Sequence, residues 1–191
     1  LGENDEDIEQ WGWVGGSESI IRVGESLGSF YGYTRYGIWN GTETQECKDG
    51  LCDGNHTIGR PHRSKTKSII GKGIPDWTGS FINTFTYKNF DLTLDLQFVA
   101  GVQTMRQYYH STYDRFGLTN GLSKILTDAW SLTNQNTMQQ AIFISGGTGH
   151  AGQDTTVDSQ WICDGSYLRA NLIQIGYTFD KTLCQSMGLN A

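Results

Sequence analysis

Phe90-Asp-Leu-Thr-Leu-Asp-Leu-Gln-Phe-Val-Ala100 decides the fold. Apolar side chains fall on alternate positions, Phe90, Leu92, Leu94, Leu96, Phe98 and Ala100, and Asp91, Thr93, Asp95, Gln97 and Val99 fill the gaps, a nearly perfect period of two in which only Val99 departs from polar. Successive side chains of a strand point to opposite faces, so this pattern makes one apolar and one polar face. A half-buried strand of a soluble sandwich alternates in the same way. Length separates the two readings, because soluble strands run about 5–6 residues and a strand tilted about 45° needs about 9–11 to cross a bilayer. The stretch therefore predicts a transmembrane strand with a lipid face and a lumen face.

The neighbouring residues extend that reading. Phe81, Phe85 and Tyr87 share one face of residues 80–87, and Lys88-Asn89 makes a tight connection, which predicts a hairpin over 78–100. A last strand runs from Ser166 to Phe179, with a slip in its alternation near Leu172-Ile173 that signals a bulge. Tyr87, Phe90, Tyr177 and Phe179 then meet at one end as an aromatic girdle of the kind that settles at lipid headgroups. Toward the N-terminus, Leu1–Gln10 reads as an acidic loop, Trp11–Gly16 as turns, and Ile20–Val23 and Gly28–Trp39 as Gly-interrupted strand. Asn40 to about Lys72 reads as a polar loop. Gly101 to about Asp158 reads as a long connection with a short helix near Leu122–Trp130. A connection of that length argues against a compact soluble domain and suits a barrel, whose extracellular loops are long and periplasmic turns short. Lys88-Asn89 then marks the periplasmic side.

Composition points the same way. Among 191 residues there are 25 Gly and 2 Pro, and Tyr, Phe and Trp number 9, 8 and 6, which favours pleated strands joined by turns. A net charge of −6 disfavours a nucleic-acid partner, since nothing would neutralise a phosphate backbone. No apolar run approaches the roughly 18–20 residues of a membrane-spanning helix, and a mean hydropathy of −0.44 excludes helical spans but not a barrel, whose strands need only every second residue apolar. The sequence starts at Leu1 without Met and stops at Ala191, and is expected to be a fragment.

Cys47 and Cys52 lie close together in a polar, Gly-rich loop, where a local disulfide is favoured and free thiols are the alternative. Cys163 and Cys184 are expected too far apart to bridge. With His56 and His62 the first pair forms C-x4-C-x3-H-x5-H, which has zinc-ligand types at a spacing unlike a finger. His110 and His150 read as surface residues. No nucleophile elbow or phosphate-binding loop is present, and Asp91 and Asp95 read as solvated lumen carboxylates, so no catalytic residue and no enzymatic activity are expected.

Four blocks carry a resemblance: Gly24-Glu-Ser-Leu-Gly-Ser-Phe-Tyr-Gly-Tyr33 with Gly37-Ile-Trp39; Ile70-Gly-Lys-Gly-Ile-Pro75; Tyr87-Lys-Asn-Phe-Asp-Leu92; and Asp164-Gly-Ser-Tyr-Leu-Arg169 with Ile175-Gly-Tyr-Thr178. In order and spacing, over about residues 20–180, they resemble the C-terminal barrel half of SusC/RagA-type TonB-dependent transporters. The resemblance implies an all-β, antiparallel up-and-down transmembrane barrel in the bacterial outer membrane. Such a barrel has about 22 strands around a plug, of which this chain would supply about five or six. All of residues 1–191 would be barrel, with the plug outside the chain. It further implies import of oligosaccharide, or in some members peptide, beneath a SusD-like lipoprotein, driven by the TonB complex through the plug. Where the family commonly carries an Asp/Asn-Gly-Asp-Gly loop that looks cation-binding, this chain has Cys47-Lys-Asp-Gly-Leu-Cys-Asp-Gly-Asn55, leaving Asp49, Asp53 and Asn55 as calcium candidates without the spacing of an EF-hand loop. No other cofactor is expected. Sugars rest their C–H faces on aromatic rings, so Trp39, Tyr108, Tyr109, Tyr113, Trp130 and Trp161 are the candidate contacts to substrate or lid. The rival reading is a secreted all-β carbohydrate-binding module, and a weaker one a structural barrel piece without transport. The module explains the rings and the cysteine pair but not the eleven-residue alternation or the girdle.

Overall fold

The computed structural model describes residues 7–12, 17–54, 57–108, 112, 121–142 and 156–188. They form an antiparallel all-β structure with a few short helices, and no helix among them is long and apolar enough to cross a membrane. The chain divides into two compact units, residues 1–74 with 103–164, and residues 75–102 with 165–191.

The first unit begins with β1 (Ile8–Trp11), β2 (Ser17–Ile21), β3 (Ser29–Gly32) and β4 (Arg35–Ile38), followed by helix α1 (Gln45–Lys48). Next come β5 (Pro61–Arg63) and β6 (Ser68–Lys72), and after residue 102 β9 (Gln103–Met105), helix α2 (Lys124–Asp128), a 3₁₀ turn (Ser159–Trp161) and β10 (Ile162–Asp164). β1, β2, β3 and β6 pair in that order, β4 pairs with β5, and β9 with β10. The short α2 falls where the sequence places it. Two expectations are corrected here. Leu1–Gln10 is not simply a loop, because Ile8–Trp11 adds a strand to β2. The presumed loop from Asn40 to Lys72 contains α1, β5 and β6. Pro-His-Arg and Ser-Ile-Ile-Gly-Lys carry no apolar alternation, and within buried β5 the Arg63 side chain is ion-paired to Asp158.

The second unit holds β7 (Trp77–Tyr87), β8 (Phe90–Ala100), β11 (Tyr167–Tyr177) and helix α3 (Lys181–Ser186), with the three strands in the order β11-β8-β7. Each of these strands is eleven residues long. Lys88 takes the left-handed region, φ 54°, as a two-residue hairpin turn demands of one of its residues. On one face the register aligns Tyr87, Phe90 and Tyr177; then Phe85, Leu92 and Ile175; then Asn83, Leu94 and Ile173; then Phe81, Leu96 and Ala170; then Gly79, Phe98 and Leu168. The Phe98 ring covers Gly79, filling the place of its missing side chain.

β11 stays in phase only because its register shifts between Ala170 and Leu172, within two residues of the slip legible in the sequence. Without the extra residue, Leu168 and Ala170 would turn to the opposite face, since side-chain orientation has period two. Deleting Asn171 from the full-length protein should therefore abolish the protease-resistant folded form, whereas Asn171→Ala should keep it; a deletion variant as resistant as the parent would show that the bulge does not set the register.

Candidate functional site

The three-stranded sheet offers two chemically distinct faces. Its apolar face is open, with Leu168 75% and Ile175 74% exposed and Phe81, Phe85, Phe90 and Ile173 also exposed. Ten residue steps of about 3.4 Å span about 34 Å, which at a tilt of about 45° projects to about 24 Å, close to the roughly 25 Å apolar band of a transmembrane barrel. At the Lys88-Asn89 end, Phe90 and Tyr177 have ring centroids 4.6 Å apart and Tyr177 meets Phe179 edge-on at 5.0 Å. Lys88 Nζ lies 5.4 Å over the Tyr87 ring. The Asn89 carbonyl accepts from Thr178 N at 2.7 Å, and Asn89 Nδ2 donates to Asp180 at 3.0 Å, tying the turn to the end of β11. The rings expected as a girdle do cluster, with charged and amide groups beside them.

The other face carries Thr86, Asp91, Thr93, Gln97, Gln174 and Arg169. Asp91 occupies the space that Gly176 leaves by lacking a side chain. Asp95 sits between Ile82 and Leu172 in the register, and its Oδ1 is buried without a hydrogen-bond partner among the described residues, so it is less solvated than its neighbour Asp91.

The first unit is organised around a buried carboxylate. Asp158 is 0% exposed, and its Oδ2 accepts from Arg35 Nε at 2.8 Å and Arg63 Nε at 2.7 Å, with Arg35 Nη2 at 2.6 Å. Its Oδ1 accepts from Gln160 N at 3.0 Å, and Arg35 Nη1 donates to the Met138 carbonyl at 2.7 Å. Strands β4 and β5 and the 157–161 segment thus meet at one ion cluster. An exposed pair contributes far less: Arg22 donates to Asp7 at 2.9 and 2.7 Å, and that hydrogen bond holds the Asp7 carboxyl below its usual range.

Of the six aromatic residues expected as candidate contacts to substrate or lid, Trp39 and Trp130 are 9% exposed and Trp161 1%, so these three are buried within the first unit. The Trp39 ring packs on His62 at 4.6 Å. Tyr108 is 55% exposed; Tyr109 and Tyr113 lie outside the described residues, as do Asn55, His56, His110 and His150. Cys47 and Cys52 form the expected disulfide, and Cys163 and Cys184 are free thiols. Asp49 Oδ1 accepts from Gln45 at 2.9 Å, and exposed Asp53 lines a small cavity with Tyr33, Arg63, Lys65 and Thr156. An open groove of about 510 Å³ is lined by Glu25, Ser26, Ser29, Lys72 and Gln103, donors and acceptors suited to a hydroxylated ligand.

Comparison with known proteins adds the decisive observation. No family model matches the chain. It is 31% identical over 186 residues to TonB-dependent receptor P3 of Formosa agariphila, an alignment covering 89% of this chain and 17% of that protein. TonB-dependent receptors P26 and P39 of the same organism are 24% and 22% identical, covering 86% and 88% of this chain and 17% and 20% of their own lengths. By sequence, the chain belongs with the TonB-dependent receptors. That relationship locates it in the bacterial outer membrane. The chain spans about a fifth or less of the receptors it matches.

Within this piece of a TonB-dependent receptor, the element that sequence reasoning missed is the Arg35-Asp158-Arg63 cluster. Its members are separated by 123 and 95 residues, and nothing local marks any of them. Removing one partner of a buried ion cluster costs about 3–5 kcal/mol, because the remaining charge is left uncompensated. Asp158→Asn in the full-length receptor should therefore raise hydrogen exchange of peptides covering residues 33–38 and 61–64 by about a hundredfold or more. Unchanged exchange there would show that the two guanidinium groups find other partners.

Proposed function

We propose that this chain forms part of the barrel wall of a SusC/RagA-type outer-membrane importer. Nutrient, an oligosaccharide or in some members a peptide, binds on the outer side beneath a SusD-like lipoprotein. The TonB complex, acting on a plug outside this chain, then opens a route through the lumen. No bond of the nutrient is broken, and no cofactor takes part in this stretch of the wall. Calcium at Asp49 and Asp53 would stiffen a loop rather than do chemistry.

The observation that carries the reading is the second unit's sheet, in which most of the apolar residues stay in phase across three eleven-residue strands, while the carboxylates and most of the hydroxyls and amides lie on the reverse face beside Ile82, Val99, Tyr167 and Leu172. A soluble carbohydrate-binding module has no use for so wide an open apolar face, because exposed apolar patches beyond a few hundred Å² mark membrane or partner contacts. Facing lipid, the same surface is matched to its solvent, and the polar face lines an aqueous path. Recognition of nutrient would draw on exposed Tyr108 as a ring platform and on the Glu25, Ser29, Lys72 and Gln103 groove for hydrogen bonds.

The test is lipid accessibility in the intact membrane-embedded protein. Single cysteines carrying a fluorophore at each position from Phe90 to Ala100 should be quenched by a bilayer-confined quencher at even positions and spared at odd ones. If neither set is quenched, the barrel reading fails and a soluble glycan-binding module replaces it.

A further inference from the structure

We propose that reduction of the Cys47–Cys52 disulfide converts this corner of the first unit into a three-ligand site for a thiophilic divalent metal such as zinc or cadmium, with His62 as the third ligand. The proposal is independent of the transport reading. In the oxidised protein the disulfide Sγ of Cys47 lies 3.1 Å from His62 Nδ1, and the donor atoms of Cys47, Cys52 and His62 all lie within 4.8 Å of one another. A tetrahedral centre with metal–sulfur bonds of about 2.3 Å and a metal–nitrogen bond of about 2.0 Å sets its donors about 3.5–3.9 Å apart. Little more than the separation of the two sulfurs is needed to reach that geometry.

What makes the site more than a coincidence of residue types is that its framework is held by bonds other than the disulfide. Cys52 forms an antiparallel bridge with Ser64, flanked by Asp53 N donating to the Arg63 carbonyl and Lys65 N donating to the Leu51 carbonyl, both at 2.9 Å. His62 is 1% exposed on β5, paired with β4, and its ring is oriented by Trp39 at 4.6 Å. Its neighbour Arg63 is anchored by Asp158. Cys47 lies in the short helix α1, and the loop after it closes through Leu51 N donating to the Glu46 carbonyl at 2.9 Å. Cys52 and His62 are buried while Cys47 is half-exposed, so reductant and metal can approach from the Cys47 side. Two soft thiolates and one imidazole leave a fourth position for water, the arrangement of an open zinc site.

The chemistry balances with a dithiol as reductant. The dithiol passes two electrons to the Cys47–Cys52 bond, becomes a cyclic disulfide, and leaves two protein thiols carrying its two protons. Metal binding then displaces those two protons, while neutral His62 donates the Nδ1 lone pair.

The experiment uses the full-length protein in detergent, titrated with Cd²⁺ and followed by thiolate-to-metal charge-transfer absorption. Oxidised and dithiothreitol-reduced samples are compared after removal of the reductant, alongside a Cys47→Ser/Cys52→Ser variant that cancels the contribution of Cys163, Cys184 and any other thiol. The reduced parent should bind one more equivalent per chain than either the oxidised parent or the double variant. His62→Gln should weaken that equivalent by about tenfold or more, as loss of one of three ligands requires. Equal binding by reduced parent and double variant overturns the proposal. So does a His62→Gln variant that binds as tightly as the parent, or a reduced parent that has lost its folded, protease-resistant state.

Discussion

The second unit depends on a single constraint, the phase of β8 relative to the strands on both sides of it. β8 is paired along its length with β7 and with β11, so its backbone donors and acceptors are used within the sheet, which is what hydrocarbon demands of any strand that crosses it. Once that pairing is set, every side chain is committed to one of two faces. The apolar set of β7 falls in with that of β8 directly, and β11 does so only through the bulge beside Asn171. The sheet spends one residue's worth of ladder to keep Leu168 and Ala170 with Ile173, Ile175 and Tyr177. β7 and β11 each keep one edge unpaired within this sheet, and such edges either find further strands or aggregate.

The first unit solves a different problem. Its strands are short and few of its side chains are large and apolar, so hydrophobic burial alone does not fix their arrangement. Asp158 does it by accepting from two guanidinium groups and a backbone amide at once. Such a cluster is costly to desolvate and is weak evidence for stability as such. Its effect is directional: Arg35 and Arg63 reach the same oxygen only if β4, β5 and the 157–161 segment take one relative placement. That placement also brings His62 beneath Trp39 and against the disulfide. The polar centre and the cysteine corner are thus parts of one construction.

How much of this was legible in the sequence follows from the range of the interactions involved. The β7–β8 hairpin, the Lys88-Asn89 turn, the bulge in β11 and the aromatic cluster at one end are written in local periodicity, and they stand where the sequence puts them. The disulfide was legible because its cysteines are five residues apart. Strands β1, β5 and β6 were not, because they are three to five residues long and none of them carries a run of apolar alternation, and β5 and β6 pair with strands more than twenty residues away. The tryptophans show the same limit. A ring suited to stack on a sugar is equally suited to a core, and buried Trp161 lies in the segment anchored by Asp158, whose arginine partners are more than ninety positions away.

The two units also differ in the solvent each requires. In water, Phe81, Phe85, Phe90, Leu168, Ile173 and Ile175 would stand exposed at a cost of about 25 cal/mol for each Å² of apolar surface. In lipid that cost vanishes, but so does any hydrophobic drive holding the strands together, since acyl chains are as apolar as leucine. What then keeps the sheet intact is the expense of leaving backbone groups unpaired in hydrocarbon, several kcal/mol for each. The order of the second unit therefore comes from its register and the first unit's from its buried charges. An error of one residue in β11 is more serious than the loss of any single apolar side chain on the same face, because it turns part of the face away from lipid while leaving the hydrogen bonds to be remade.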